Sequence, residues 1–195
     1  LAGERIAQDS MYVAMSQKAY NRMPDYYVIT RALANFERSL ISDNSYFDQY
    51  HFDAQTDALS NSQKRGMALF YSEKTNCYKC HVGPNFTDYS FENNGLYKDY
   101  SDEGRRRLTE EETDDGRFKV ASLRNVEVTG PYMHDGSLRT LAEVIEHYNS
   151  GGKNHENKSE LIQPLNLTQQ EKDELLAFLL SLTDNEFLTN NQFKE

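Results

Sequence analysis

This chain has two cysteines, three residues apart, with a histidine directly after: Cys77-Tyr78-Lys79-Cys80-His81. That spacing constrains the chain more than any other feature. Two thiols so placed reach the two vinyl groups along one edge of a porphyrin, and the next imidazole then falls under the iron as an axial ligand. Cys77 and Cys80 are therefore the expected thioether anchors of one covalent c-type haem, with His81 its proximal iron ligand. A thioredoxin-like redox pair wants a strand–helix–strand setting, and a zinc site wants a second pair of ligands. Neither is visible, and neither uses His81.

Composition agrees with a bound group. Of 195 residues, 37% are hydrophobic when 13 Tyr are counted. Counting the 10 Gly instead of Tyr gives roughly 35%, against about 45–50% for ordinary domains. A porphyrin supplies the missing apolar volume. The length allows one or two domains. With 21 basic and 31 acidic side chains the net charge is −10, which argues against nucleic acid and anionic membrane as partners. No apolar run is long enough to span a bilayer. The chain starts at Leu1 with no export signal, so it reads as a mature or excised piece.

Helical patterns dominate, and no alternating stretch is long enough to build a sheet. A weak amphipathic pattern covers 4–20. A second helix is expected over 24–41, with Pro24 in its first turn and Tyr27, Ile29, Leu33, Phe36 and Leu40 inward. Residues 42–50 read as turn-rich. Capping boxes are expected at Ser60/Gln63, Thr140/Glu143 and Thr168/Glu171, opening helices 61–73, 141–149 and 169–183. Gly151-Gly152 is a stop signal for the second of these. Gly66 and Phe70 share a face and are expected to meet the face carrying Leu175, Leu176, Phe178, Leu179 and Leu182, the glycine allowing a close helix crossing. The polar segment 82–118, with Arg105-Arg106-Arg107 and Glu110-Glu111-Glu112, reads as a long solvated loop. The fold class is therefore all-α: a cytochrome c-like helical domain wrapped around a covalent c-type haem, with long irregular loops. Residues 1–59 form an N-terminal helical segment and 60–195 the haem domain.

The second axial ligand decides whether the iron moves electrons or does chemistry. Met133, just past Pro131, is one candidate. Tyr148 is the other: Leu141, Val144, Ile145 and Tyr148 fall on one helical stripe. His134, His147 and His155 are further candidates, but His147 lies off that stripe and His155 in a polar loop, so both read as solvated. His51 reads as a loop residue. Arg124 offers a donor fork for a haem propionate or, equally, braces a loop. Lys119 has the same two readings. His134 and Asp135 are expected to brace the loop above the haem edge.

Several separated strings carry a family resemblance: Gly116-Arg117-Phe118-Lys119-Val120-Ala121-Ser122-Leu123-Arg124-Asn125-Val126, Thr129-Gly130-Pro131-Tyr132-Met133-His134-Asp135-Gly136, Ala34-Asn35-Phe36-Glu37-Arg38-Ser39-Leu40, Gly83-Pro84-Asn85-Phe86-Thr87-Asp88 and Leu167-Thr168-Gln169-Gln170-Glu171-Lys172. Over roughly 28–183 the chain resembles the C-terminal haem domain of the bacterial dihaem cytochrome c peroxidase family, which includes MauG-like enzymes. The resemblance implies two c-haems, one here and a second, peroxidatic one in a missing N-terminal domain. It implies that the haem of this chain relays electrons to the one that reduces hydrogen peroxide to water. Position 148 matches the distal ligand, Met in the electron-transfer peroxidases and Tyr in MauG-like members, so the resemblance favours Tyr148 over Met133. It also implies a calcium ion between domains, with backbone carbonyls of Thr129 and Pro131 among its ligands.

By the same resemblance the protein is periplasmic, since such haem is attached outside the cytoplasmic membrane. It takes electrons from a small donor protein, a cytochrome c or a cupredoxin, and a homodimer is the oligomeric expectation. The departures are one C-x-x-C-H in place of two and the absence of Trp, where the family places a relay Trp in the other domain. No catalytic residue is therefore expected in this piece, which alone retains little activity. The alternatives are a MauG-like oxidase acting on a protein partner and a pure electron-transfer module.

Overall fold

The computed structural model describes residues 2–193. The chain divides into two compact units, Leu1–Ser42 and Asp43–Glu195. The expected boundary at 59/60 lies inside the second unit, because Phe47 and Asp48 are built into that unit's interior.

The first unit holds α1 (Ala2–Ile6), α2 (Ser10–Tyr20) and α3 (Tyr26–Ser39). The single pattern expected over 4–20 is two helices, because Asp9 turns its carboxylate onto the amide of Met11 and caps α2. Asp25 caps α3 through the amide of Val28, so Pro24 precedes the helix instead of opening it. The apolar stripe expected to face inward does not. Tyr27, Leu33, Phe36 and Leu40 are exposed, Ile29 is half-buried, and Val28 is the buried member of α3. Three short helices supply too little surface within this unit to cover it. Tyr27 lies instead between the guanidinium groups of Arg22 and Arg31, 4.9 and 4.7 Å from its ring centre.

The second unit holds α4 (Tyr46–His51), α5 (Asn61–Phe70), α6 (Arg106–Thr109), α7 (Leu141–Ser150), α8 (Gln169–Leu180) and α9 (Asn185–Thr189). Strands β1 (Phe91–Glu92) and β2 (Phe118–Lys119) pair antiparallel, Phe91 opposite Lys119. All three expected capping boxes close in both directions. A fourth, Ser45/Asp48, opens α4 in the stretch that reads as turn.

Helices α5 and α8 form the frame. A side chain at Gly66 would put its Cβ 1.9 Å from the Glu174 carbonyl oxygen and 2.9 Å from Phe178 Cβ. The glycine therefore lets the two backbones approach as expected. Around the crossing, Phe47, Phe70, Phe86 and Phe178 pack edge to face or, for Phe70 on Phe178, tilted, with ring centres 5.0 to 6.4 Å apart. Leu175, Leu179 and Leu182 complete this core, with Leu176 packed against it.

The segment 82–118 is less solvated than its composition predicts. Asn93 and Leu96 are buried, and the arginine run pairs within its own loop: Arg105 with Asp114 at 3.0 Å and Arg106 with Asp115 at 3.5 Å. Arg105 also lies over the Phe91 ring.

Candidate haem site

Beyond α5, Asn76 adopts a left-handed conformation (φ 54°) and redirects the chain into a 3-10 turn, Cys77–Lys79. The amides of Cys80 and His81 both return to the Cys77 carbonyl, at 3.4 and 3.0 Å. Both cysteines lie on this one turn, half-buried and not joined to each other. Burial pushes the Cys77 thiol up. Cys80 rises to about 11, through burial first and then the charges of Glu92, Asp88 and Cys77. A thiol-exchange centre needs the opposite shift, since the thiolate is its nucleophile. Among the described residues no cluster of three or more His, Cys, Asp or Glu stands ready to hold a metal ion.

The His81 ring is fixed by a hydrogen bond between Nδ1 and the Phe86 carbonyl, 2.8 Å. A carbonyl only accepts, so Nδ1 carries the proton and Nε2 the lone pair. Burial lowers the imidazole pKa, against the opposing pull of the Phe86 carbonyl, the Asp88 carboxylate and the Ala121 carbonyl. Burial thus favours the neutral ring, the form that ligates iron. Phe86, whose carbonyl does the holding, is itself buried in the phenylalanine core. Thr87 ties the same loop down through its hydroxyl, which donates to the Val120 carbonyl at 2.6 Å. Two thiols and an oriented, neutral imidazole on one turn fit a c-type haem.

Arg124 braces this loop. Its Nε donates to the Pro84 carbonyl at 2.6 Å, and its two terminal nitrogens each donate to one oxygen of Asp48 at 2.8 Å. The fork that suits a carboxylate has found one within the protein. Lys119 likewise lies over the Tyr89 ring, 5.3 Å from its centre.

The two distal candidates converge. Tyr148 is half-buried on α7, and its hydroxyl lies 3.4 Å from Asn94 Nδ2. Met133 Sδ lies 3.2 Å from the same nitrogen. Burial pushes the Tyr148 phenol up against the Asn94 hydrogen bond, and negative charge on Cys77, Cys80 or Tyr100 would push it further. Asn94 stands in the segment read as loop, and nothing in its type or spacing marks it.

The two histidines read as solvated are not. His147 Nε2 bonds the Asn94 carbonyl at 3.0 Å, and burial lowers its pKa. His155 has a side chain only 6% exposed and lies 3.3 Å from Asp115. Its Nδ1 meets Asn93 Nδ2 at 3.2 Å and the Asn157 amide at 3.1 Å. Two of these partners, Asn93 and Asp115, lie far from His155 in sequence. His134 is exposed and stacks on Phe118, ring centres 3.7 Å apart. Asp135 does brace its loop, accepting from the Tyr97 hydroxyl at 2.7 Å and the Ser137 amide at 3.0 Å. Burial works against its ionisation, but these bonds and the nearby His134 hold its carboxyl at about 2. His51 ends α4 and stacks on Phe47. Thr129 and Pro131 flank Gly130, with the Thr129 hydroxyl donating to the Val126 carbonyl at 3.2 Å.

The chain has clear relatives. The sequence profile of di-haem cytochrome c peroxidase matches residues 2–56. Cytochrome-c peroxidase IdrP1 of Pseudomonas sp. (strain SCT) is 36% identical, over 87% of this chain and 52% of its own length. Methylamine utilization protein MauG of Methylophilus methylotrophus is 40% identical, over 79% of this chain and 46% of its own. The crystal structure of a MauG-like protein associated with microbial copper homeostasis superposes with a TM-score of 0.88 at 32% identity, over 97% of this chain and 63% of that one. The chain belongs to the dihaem cytochrome c peroxidase family, MauG-like proteins included. It spans about half the length of the curated relatives it matches. The fold is the all-α, cytochrome c-like one expected, and the family's cofactor is haem c.

Proposed function

We propose that this chain is the electron-relay domain of a bacterial dihaem cytochrome c peroxidase, with one haem c held through Cys77 and Cys80. In that role it passes electrons to a peroxidatic haem in a partner domain, where hydrogen peroxide is reduced to water. The observation that carries the reading is the His81 ring, locked by the Phe86 carbonyl on the turn that bears both thiols.

When bound, haem c supplies a one-electron ferric/ferrous couple. The residues of the chain do the rest. Cys77 and Cys80 fix the edge of the group through thioethers. His81 offers Nε2 to the iron, with its tautomer set at Nδ1. Tyr148, held by Asn94, would be the second side chain offered to the iron, with Met133 as its competitor. The phenylalanine core below the turn excludes water, which keeps the environment from reorganising when charge changes. No residue of this chain is assigned to peroxide chemistry. Carbonyls of Thr129 and Pro131 are assigned to a calcium ion shared with the partner domain. The compartment is the periplasm, in line with the site of haem attachment, and no helix among the described residues is long and apolar enough to cross a membrane. A small donor protein, cytochrome c or cupredoxin, delivers the electrons, and the assembly is a homodimer.

The test is peroxide-dependent oxidation of a reduced donor by the full-length protein. His81→Ala abolishes turnover on this reading. Unchanged turnover would contradict the relay.

A further inference from the structure

Met133, Tyr148 and Asn94 meet at one nitrogen. The Asn94 amide lies 3.2 Å from the Met133 sulfur and 3.4 Å from the Tyr148 oxygen. A primary amide has two N–H groups, one for each. The amide is itself fixed. Its Oδ1 accepts from the Leu96 amide at 3.2 Å, and the Asn94 carbonyl bonds His147, the residue before Tyr148. Met133 sits at φ 72°, a left-handed conformation uncommon for a side chain of its size. The Tyr132 amide, donating to the Leu138 carbonyl at 2.7 Å, helps hold the loop there. Strain of this kind persists where the surroundings over-determine it. A methionine that only filled core space would need neither the strain nor an amide donor.

We propose that Asn94 is a positioning residue that holds two alternative distal ligands, Tyr148 for the ferric iron and Met133 for the ferrous. The inference rests on the haem attachment proposed above. A hard phenolate oxygen prefers ferric iron, and a soft thioether prefers ferrous. On reduction one electron enters from the donor protein. The Tyr148 oxygen–iron bond breaks and the Met133 sulfur–iron bond forms. The phenolate takes one proton from water, and the resulting phenol accepts the Asn94 N–H. Oxidation reverses each change, returning the electron and the proton. Asn94 retains whichever side chain is off the iron, so neither is lost to solvent.

The experiment uses the haem-loaded chain with Met133→Leu, Tyr148→Phe, Asn94→Leu and Asn94→Gln variants. Resonance Raman of the ferric wild type shows phenolate modes. After reduction, proton NMR shows the strongly upfield methyl resonance of an iron-bound methionine. Met133→Leu removes the upfield resonance and leaves the ferric modes intact. Tyr148→Phe replaces the phenolate modes with the far-red thioether band in the ferric state. Asn94→Leu lowers the ligated fraction in both states, and Asn94→Gln restores part of it. One distal ligand in both redox states, or an Asn94→Leu protein indistinguishable from wild type, would overturn the inference while leaving attachment intact. Loss of covalent haem in the wild type is a separate failure, that of the attachment itself.

Discussion

The surroundings of His81 and those of Tyr148 and Met133, the two sides of the proposed haem site, are built on different principles. On the proximal side, His81 is held by a backbone carbonyl, and that carbonyl belongs to a phenylalanine packed among three others. The loop is tied again by Thr87 and by the buried Asp48–Arg124 pair, whose side chains are 2% and 11% exposed. On the distal side, two ligand candidates share a single side-chain amide at 3.2 and 3.4 Å, and Tyr148 and Met133 are half-buried. The proposed proximal ligand is fixed by the core. The proposed distal one is left to a few side chains that share one amide. Stability and redox properties are therefore expected to separate between the two sides.

The largest test of that separation is Phe178→Ala, at the centre of the aromatic cluster. Truncating a fully buried phenylalanine costs about 3–5 kcal/mol. Denaturant unfolding reads it, and a loss under 1 kcal/mol would mean the proximal frame is not where stability resides. Arg124→Leu comes next. It strands the Asp48 carboxylate, and breaking a buried pair costs on the order of 3 kcal/mol. Burial pushes the Asp48 carboxyl up, but hydrogen bonds from Arg124 and Ser45 outweigh it and hold it below its ordinary value. Its folded pKa is thus depressed, so its contribution is present above the unfolded pKa of about 3.9 and is lost as pH falls through the folded value. Acid titration of unfolding therefore shows a wild-type stability increment in that window that Arg124→Leu lacks.

Gly66→Ala should follow at about 1–3 kcal/mol, since a methyl there forces α5 and α8 apart. Thr140→Ala removes the cap of the helix that carries Tyr148 and costs about 1 kcal/mol. Tyr148→Phe is the smallest in stability, under about 1 kcal/mol, because the removed hydroxyl makes one long bond to Asn94. Yet it alters the ferric spectrum, which none of the frame variants does while folded. A Tyr148→Phe protein destabilised as much as Phe178→Ala would erase the contrast between the two sides.

What was readable from sequence follows the same division. Three capping boxes and the Gly66 crossing are local or periodic signals, and they stand where expected. The box at Ser45 was hidden because Asp48 stands where Glu or Gln is usual, amid turn-forming residues. The Asp48–Arg124 pair, the Asn94 contacts and the burial of His155 join residues far apart in sequence, and no spacing rule reaches them. The exposed stripe of α3 failed for the reverse reason. Periodicity shows which residues share a face and says nothing of whether anything covers it.

Intact-mass and peptide mass spectrometry of the chain produced in a haem-attaching periplasm tests the central claim most directly. The account predicts the added mass of one haem, retained under denaturing and reducing conditions and mapped to the peptide holding Cys77 and Cys80, with a Soret band in the same sample. An unmodified peptide with both thiols free to alkylate, and no Soret absorbance, would contradict it.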